Sequence, residues 1–318
     1  MLNIAIVGTG IIASTHIDAI KQSDRCRVCA LCDINEEAVK PMAEELGVPY
    51  FLDYKEIPDA VKPDAVIINL PHFLHCESTI FFLEHGIHVL VEKPMANTVE
   101  ECDRMIAAAK KNNKKLVVGQ VQRYSPLFKN IKNIIASGEL GKLCMFTEYR
   151  TLNYFSPSRP KWFTCKEKSG GGVAMNFGAH ALDKLFCVRD RTDVSVVSSC
   201  SNMANDADVE GHVQFLVRYP DGVSGAVTLS GYAPSGGEVT FYFTKGALKI
   251  ANLIEFYRTN EKGAWELISN KKDTEEIFLN QITEFCKYVN DEPADVSTAE
   301  YGRSIISVIE KIYKDNNC

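Results

Sequence analysis

The stretch NIAIVGTGIIA, residues 3–13, decides the fold. Asn3–Val7 is apolar almost throughout, as a strand buried on both faces is. Gly8, Gly10 and Ala13 follow with the spacing G-x-G-x-x-A, and a helix opens at Ile11. Gly8 permits a tight turn, Gly10 lets a pyrophosphate approach the backbone, and Ala13 lets the helix pack against the strand. Unpaired N–H groups at the helix start then face phosphate charge. Thr9, Ile11 and Ile12 complete this set of expected cofactor contacts. Twenty residues past Ala13, Asp33 closes the second strand, where a carboxylate meets the hydroxyls of an adenosine ribose. That carboxylate would repel a 2′-phosphate, and the next cation comes only at Lys40. NAD is therefore expected rather than NADP, against the alternative that Asp33 merely caps a helix.

Working outward, strand-like and helix-like segments alternate as far as KLVVGQV, residues 115–121. Helices are expected over Ile11–Lys21, Asn35–Leu46, Phe73–His85 and Thr98–Lys111, the last opened by a T-x-x-E capping box at Thr98 and Glu101. Apolar strands alternating with helices imply a doubly wound parallel sheet. After Gln122 the pattern changes. Ser125-Pro126 reads as a helix start with a hydroxyl cap. Long alternating stretches such as LCMFTEYR, HVQFLVRY and EVTFYFTKG then read as antiparallel strands. The expected fold is α/β, a Rossmann domain over 1–121 joined to an α+β domain with a large, mainly antiparallel open sheet over 122–318. A cleft between two such domains is a common ligand site.

Composition excludes several classes. The 318 residues are 46% hydrophobic and 24% charged, as in a globular protein, and the net charge is −6. A modestly acidic chain lacks the clustered cations of a general nucleic-acid binder, and no run approaches a membrane span. The first residues lack the basic flank and cleavage site of a signal peptide, so a cytoplasmic protein is expected. Eleven cysteines cannot all pair within one chain, and reduced thiols are the default there. In CRVCALC, residues 26–32, Cys26 and Cys32 would lie about 20 Å apart on a strand. No metal site is expected.

One segment is hard to place on packing alone. VLVEKPMA, residues 89–96, ends a buried strand in Glu92 and Lys93, with Pro94 next. An ammonium at the tip of a core strand is costly unless it is paired or used. With GTGIIA, LPHFLHCE, VEKPMANTVEEC, GQVQRYSP and GGGVAMNFGAHALD in order, the chain resembles the Gfo/Idh/MocA oxidoreductases over nearly its whole length. The resemblance implies that Lys93 lies beside the nicotinamide and hydrogen-bonds the reacting substrate oxygen, with Glu92 near the cofactor. It implies that Leu70 and Pro71 line the nicotinamide ribose, with His75 beside them. It places Arg123 and Tyr124 at the cleft. The open sheet would serve a homodimer or homotetramer.

In NFGAHALD, Asn176, His180 and Asp183 share one face if the segment is an ordinary α-helix. His180 fits the general base, while Asn176 stands where the family's pattern places an aspartate. An amide orients a hydroxyl but cannot stabilise an imidazolium as a carboxylate does, so the proton relay is in question. Gly170–Gly172 would let a substrate approach the backbone. Lys161 and Trp162 would offer charge and a stacking surface to a sugar ring. The expected function is an NAD-dependent dehydrogenase acting on a secondary hydroxyl of a sugar or cyclitol. Its alternatives are redox-neutral elimination or epimerisation on a sugar, and a non-catalytic dinucleotide sensor.

Overall fold

The computed structural model describes residues 1–318 other than 205, 253, 271–273 and 316–318, and only the backbone of 274 and 275. The chain forms two compact units, Met1–Tyr124 with Thr274–Arg303, and Ser125–Asp273 with Ser304–Cys318. The first therefore takes in a stretch near the C-terminus that a single division at residue 121 does not assign to it.

The first unit begins β1 (Leu2–Val7), α1 (Ile11–Lys21), β2 (Cys26–Cys32), α2 (Glu36–Leu46), β3 (Tyr50–Phe51) and α3 (Ile57–Val61). It continues with β4 (Ala65–Ile68), α4 (His75–Glu84), β5 (His88–Val91), α5 (Val99–Lys111) and β6 (Leu116–Val118). All six strands are parallel, in the order β3-β2-β1-β4-β5-β6. The order reverses beside β1, so the carboxyl ends of β1 and β4 flank the crevice where such sheets bind ligands. Local chemistry sets the helix starts. Thr98 and Glu101 form the expected capping box on α5, and the Asn35 side chain accepts from Glu37 N at the start of α2.

In the second unit come α6 (Pro126–Ser137), β7 (Leu143–Asn153), α7 (Lys166–Ser169), α8 (Ala179–Arg189), β8 (Ser195–Asn202), β9 (His212–Arg218) and β10 (Ser224–Ser230). They are followed by β11 (Tyr232–Phe243), β12 (Gly246–Ala251), β13 (Glu255–Thr259) and β14 (Trp265–Ser269). The eight strands lie in the order β14-β13-β12-β11-β7-β10-β9-β8. Every neighbouring pair is antiparallel except β7 with β10, which run parallel. Pro126 opens α6 as expected, but the Ser125 hydroxyl makes no cap hydrogen bond.

Two helices close the chain, α9 (Thr274–Val289) and α10 (Ala299–Asp315). On α9, Phe278, Ile282 and Phe285 recur at helical spacing and join the core of α1 and β2. Burying each contributes about 1.5–3 kcal/mol, which accounts for the return of this segment to the first unit. Among the described residues no helix is long and apolar enough to cross a membrane.

Candidate active site

The nucleotide end of the first unit is built by the β1–α1 turn. Gly8 has φ +90°, and an added Cβ would come within 2.7 Å of the Asn69 carbonyl oxygen, so glycine is required on both counts. A Cβ at Gly10 would meet nothing within 4 Å, which leaves open the approach a pyrophosphate needs. Ile11, at the opening of α1, is 97% exposed, and Ile12 is half-buried. Asp33 binds back onto the turn, its Oδ2 accepting from Thr9 N at 2.8 Å and Thr9 Oγ1 at 3.0 Å. Its Oδ1 accepts from Asn35 N at 3.0 Å. A carboxylate oxygen has two lone pairs, so Oδ2 is filled and Oδ1 keeps one acceptor position for a ribose hydroxyl. The α2 cap is Asn35 and not Asp33. Turn, open approach and spare acceptor together fit a dinucleotide.

The strand-end lysine is framed by groups on three elements. Lys93 is half-buried just past β5, and its bond to Pro94 is cis. Glu92, buried behind it, accepts from Lys93 N at 3.1 Å through Oε2 and from His16 Nε2 at 3.0 Å through Oε1. Burial, the largest influence on Glu92, pushes its pKa up, but the His16 hydrogen bond and charge and the nearby Lys93 bring it below the usual glutamate value. His16 is fully buried on α1, edge-on to the Phe278 ring at 5.2 Å. It escaped the sequence reading, although a histidine in the apolar stripe Ala13, His16, Ile17, Ile20 was the available signal.

His75 does not line a cofactor surface, because its ring is fully buried. Its Nδ1 lies 2.9 Å from the Pro94 oxygen and its Nε2 2.7 Å from the Leu70 oxygen. Burial lowers its pKa against the pull of both carbonyls. Neutral imidazole donates one hydrogen bond and imidazolium two, so the neutral ring donates to one of these two carbonyls while packing between the half-buried Leu70-Pro71 loop and the backbone next to Lys93. Tyr124 is likewise a correction. It is buried, and its hydroxyl accepts from Ser297 N at 3.2 Å rather than standing free for a substrate. Arg123 forms an ion pair with Asp295 at 2.5 Å and lies 4.6 Å from the Tyr301 ring centroid.

In the second unit the segment expected as one ordinary α-helix is not uniform. Ala174–Gly178 makes a π-helical turn ahead of α8, and such turns recur at functional sites. Asn176 and Asp183 are buried, and from Gly171 to Val188 His180 is the one residue that is not. Tyr154 and Asn176 share a side-chain hydrogen bond. Below His180, the buried Lys184 pairs with Glu148 of β7. Burial lowers the lysine's pKa against that carboxylate. The triple glycine is not an approach for substrate. A Cβ at Gly172 would lie 1.9 Å from the Glu210 carbonyl oxygen. The buried Glu210 carboxylate accepts from Gly172 N and Ala174 N, and from the Tyr313 hydroxyl. Trp162 is half-buried and stacked on Phe163 at 3.7 Å. Among the described residues no group of three or more His, Cys, Asp or Glu side chains is placed to hold a metal ion.

A Rossmann sheet with this turn, and a lysine at a strand end beside it, defines the class as dinucleotide-binding oxidoreductases. The chain belongs to the Gfo/Idh/MocA family: residues 2–120 match its oxidoreductase, NAD-binding Rossmann fold and residues 128–249 its C-terminal domain. Among similar proteins, 1-carboxy-3-chloro-3,4-dihydroxycyclohexa-1,5-diene dehydrogenase of Comamonas testosteroni is 29% identical over 73% of this chain and 58% of its own. D-glucoside 3-dehydrogenase of Escherichia coli is 32% identical over 57% of this chain and 52% of its own. 2,7-Anhydro-N-acetylneuraminate hydratase of Mediterraneibacter gnavus is 29% identical over 58% and 48%. The chain thus spans about half the length of the curated relatives it matches. In fold it is similar to GenD2 of gentamicin A biosynthesis, solved with NAD, with a TM-score of 0.88 at 20% identity over 99% of this chain and 94% of that one.

Proposed function

We propose that this protein is an NAD-dependent dehydrogenase that moves a hydride between nicotinamide and a secondary hydroxyl or carbonyl of a sugar, cyclitol or sugar derivative. The observation that carries this reading is Lys93, held at the end of β5 by the buried Glu92 and, behind it, His16. Bound NAD would supply the hydride acceptor. Gly8, Gly10 and the start of α1 would receive its pyrophosphate, and Asp33 Oδ1 a ribose hydroxyl. Lys93 Nζ would hydrogen-bond the substrate oxygen and hold it as its charge changes during the reaction. His180 would take the hydroxyl proton, since it is the one residue from Gly171 to Val188 that is not buried. Asn176, bonded to Tyr154, would orient a hydroxyl and transfer no proton. The names of the glucoside and cyclohexadiene dehydrogenases support oxidation of a ring carbinol.

Lys93→Met is expected to lower kcat for sugar-dependent NADH formation about 10²–10³-fold, the usual cost of losing one donor to an oxygen whose charge changes. Its NADH affinity should stay within a few-fold of wild type. Undiminished turnover in Lys93→Met would overturn the proposed role. A relative named a hydratase favours a second reading, in which NAD is reduced and reoxidised within one turnover. Product formed without net NADH would select it.

A further inference from the structure

Two arginines in the second unit, Arg150 and Arg159, stack on aromatic rings without forming an ion pair among the described residues. Arg150, on β7, lies 4.7 Å from the Phe177 ring centroid, and Arg159 lies 4.4 Å from Tyr154 and 4.8 Å from Phe163. The Tyr154 and Phe177 rings meet edge to face at 5.6 Å, so the two guanidiniums end one continuous chain of aromatic contacts. Both are half-buried. The carboxylate acting on Arg150 is Glu148, whose Oε1 is held by Lys184 and whose buried Oε2 makes no hydrogen bond to the guanidinium. Glu210 acts on Tyr154, but both its oxygens are occupied by Gly172 N, Ala174 N and the Tyr313 hydroxyl. The Nε of Arg159 is buried with no hydrogen-bond partner. Burial lowers the pKa of both arginines.

A guanidinium stacked on a ring face still has its N–H donors in its own plane, directed outward. Such a fork matches a carboxylate or phosphate, and a partly desolvated cation gains most from an anion. The chain of rings passes through Phe177 and Tyr154, the neighbour and the hydrogen-bond partner of Asn176. The exposed Lys161 adds positive charge close by in sequence. We propose that Arg150 and Arg159 form an anion subsite for the substrate, so that the sugar carries a carboxylate or a phosphate. This rests on the reading of the protein as a sugar dehydrogenase and narrows its substrate class.

The test is calorimetric titration of NADH-saturated protein with D-glucuronate, D-galacturonate and D-glucose 6-phosphate, each beside its neutral parent sugar. At least one acid is expected to bind tenfold or more tightly than its parent. Uronate against phosphate preference identifies the anion. In Arg150→Met and Arg159→Met that ratio should fall at least tenfold, and Arg150→Lys should recover part of it. NADH affinity checks that each variant is folded. If no acid binds better than its parent, or if the ratio survives in both methionine variants, the inference is wrong. The two readings fail separately. An arginine-dependent acid preference without any turnover would sink the dehydrogenase and keep the subsite, whereas turnover of neutral sugars with no acid preference would do the reverse.

Discussion

At the scale of the residue, Asp33 ties the β1–α1 turn with one carboxylate oxygen and leaves room on the other. Its Oδ2 is filled by Thr9 while Oδ1 keeps an open acceptor position. Asp33→Ala should therefore weaken NADH binding by about 1.5–3 kcal/mol, the range for a hydrogen bond to a charged group, or roughly ten- to hundredfold. The preference for NADH over NADPH should shrink with it. Thr9→Val removes one donor to the carboxylate but keeps the charge, so its loss should be smaller than that of Asp33→Ala. Nicotinamide fluorescence titration measures all of these. Equal NADH affinity in wild type and Asp33→Ala would remove Asp33 from the cofactor site. Residues whose place follows from chain position, such as Gly8 and Gly10 in the turn and Asp33 beside it, were legible in the sequence. Residues whose role follows from packing were not. His75 and Tyr124 look like ligand contacts on the page of letters, yet both are buried braces whose partners, Leu70, Pro94 and Ser297, are backbone atoms. Backbone partners leave no side-chain pattern to read.

At the scale of the element, strands and helices with strong periodicity were read to within a residue or two, as α1 and α5 show. β13 and β14 were missed, because β14 is mostly exposed and offers little alternation. The π-helical turn before α8 was missed too, since no residue type marks it and an ordinary helical period was assumed. β5 carries a pH dependence of its own. At its first residue, His88 Nδ1 accepts from Lys115 N at 3.0 Å, so protonation would break a hydrogen bond between β5 and the residue that leads into β6. Burial, helped by Lys114 and Lys115, lowers its pKa from 6.5 to about 4. Between those values the unfolded chain binds the proton and the folded one does not, so this contribution falls as pH drops from 6.5 towards 4 and levels off below. His88→Gln keeps an acceptor that does not titrate in this range. The Tm difference between wild type and His88→Gln should thus shift in favour of the variant as pH falls over this window. Parallel Tm profiles from pH 7 to 4 would show that His88 does not titrate as described.

For the whole molecule, the open sheet of the second unit raises the question of assembly. Strand pairing sets Tyr242 beside Met145, Tyr149 beside Thr228 and Leu216 beside Ala226, all on one face. The opposite face carries the buried Phe146, Phe215 and Phe241. Tyr149, Leu216 and Leu267 are 51%, 44% and 52% exposed, so the outer face is apolar well beyond a single isolated side chain. Eight strands at about 4.8 Å spacing and about 24 Å length offer on the order of 900 Å². That matches the roughly 800 Å² per partner of a standard protein interface. A homodimer joined through this face is therefore expected, and sedimentation velocity at micromolar concentration should find at least a dimer. Tyr149→Glu with Leu216→Glu places carboxylates at the centre of the face, where desolvating an unpaired charge is costly, and should yield monomers. Neither residue packs into the core, so the fold should survive, with circular dichroism and NADH affinity as the controls. A monomeric wild type, or a double variant that sediments unchanged, would show that this face is not the contact between copies.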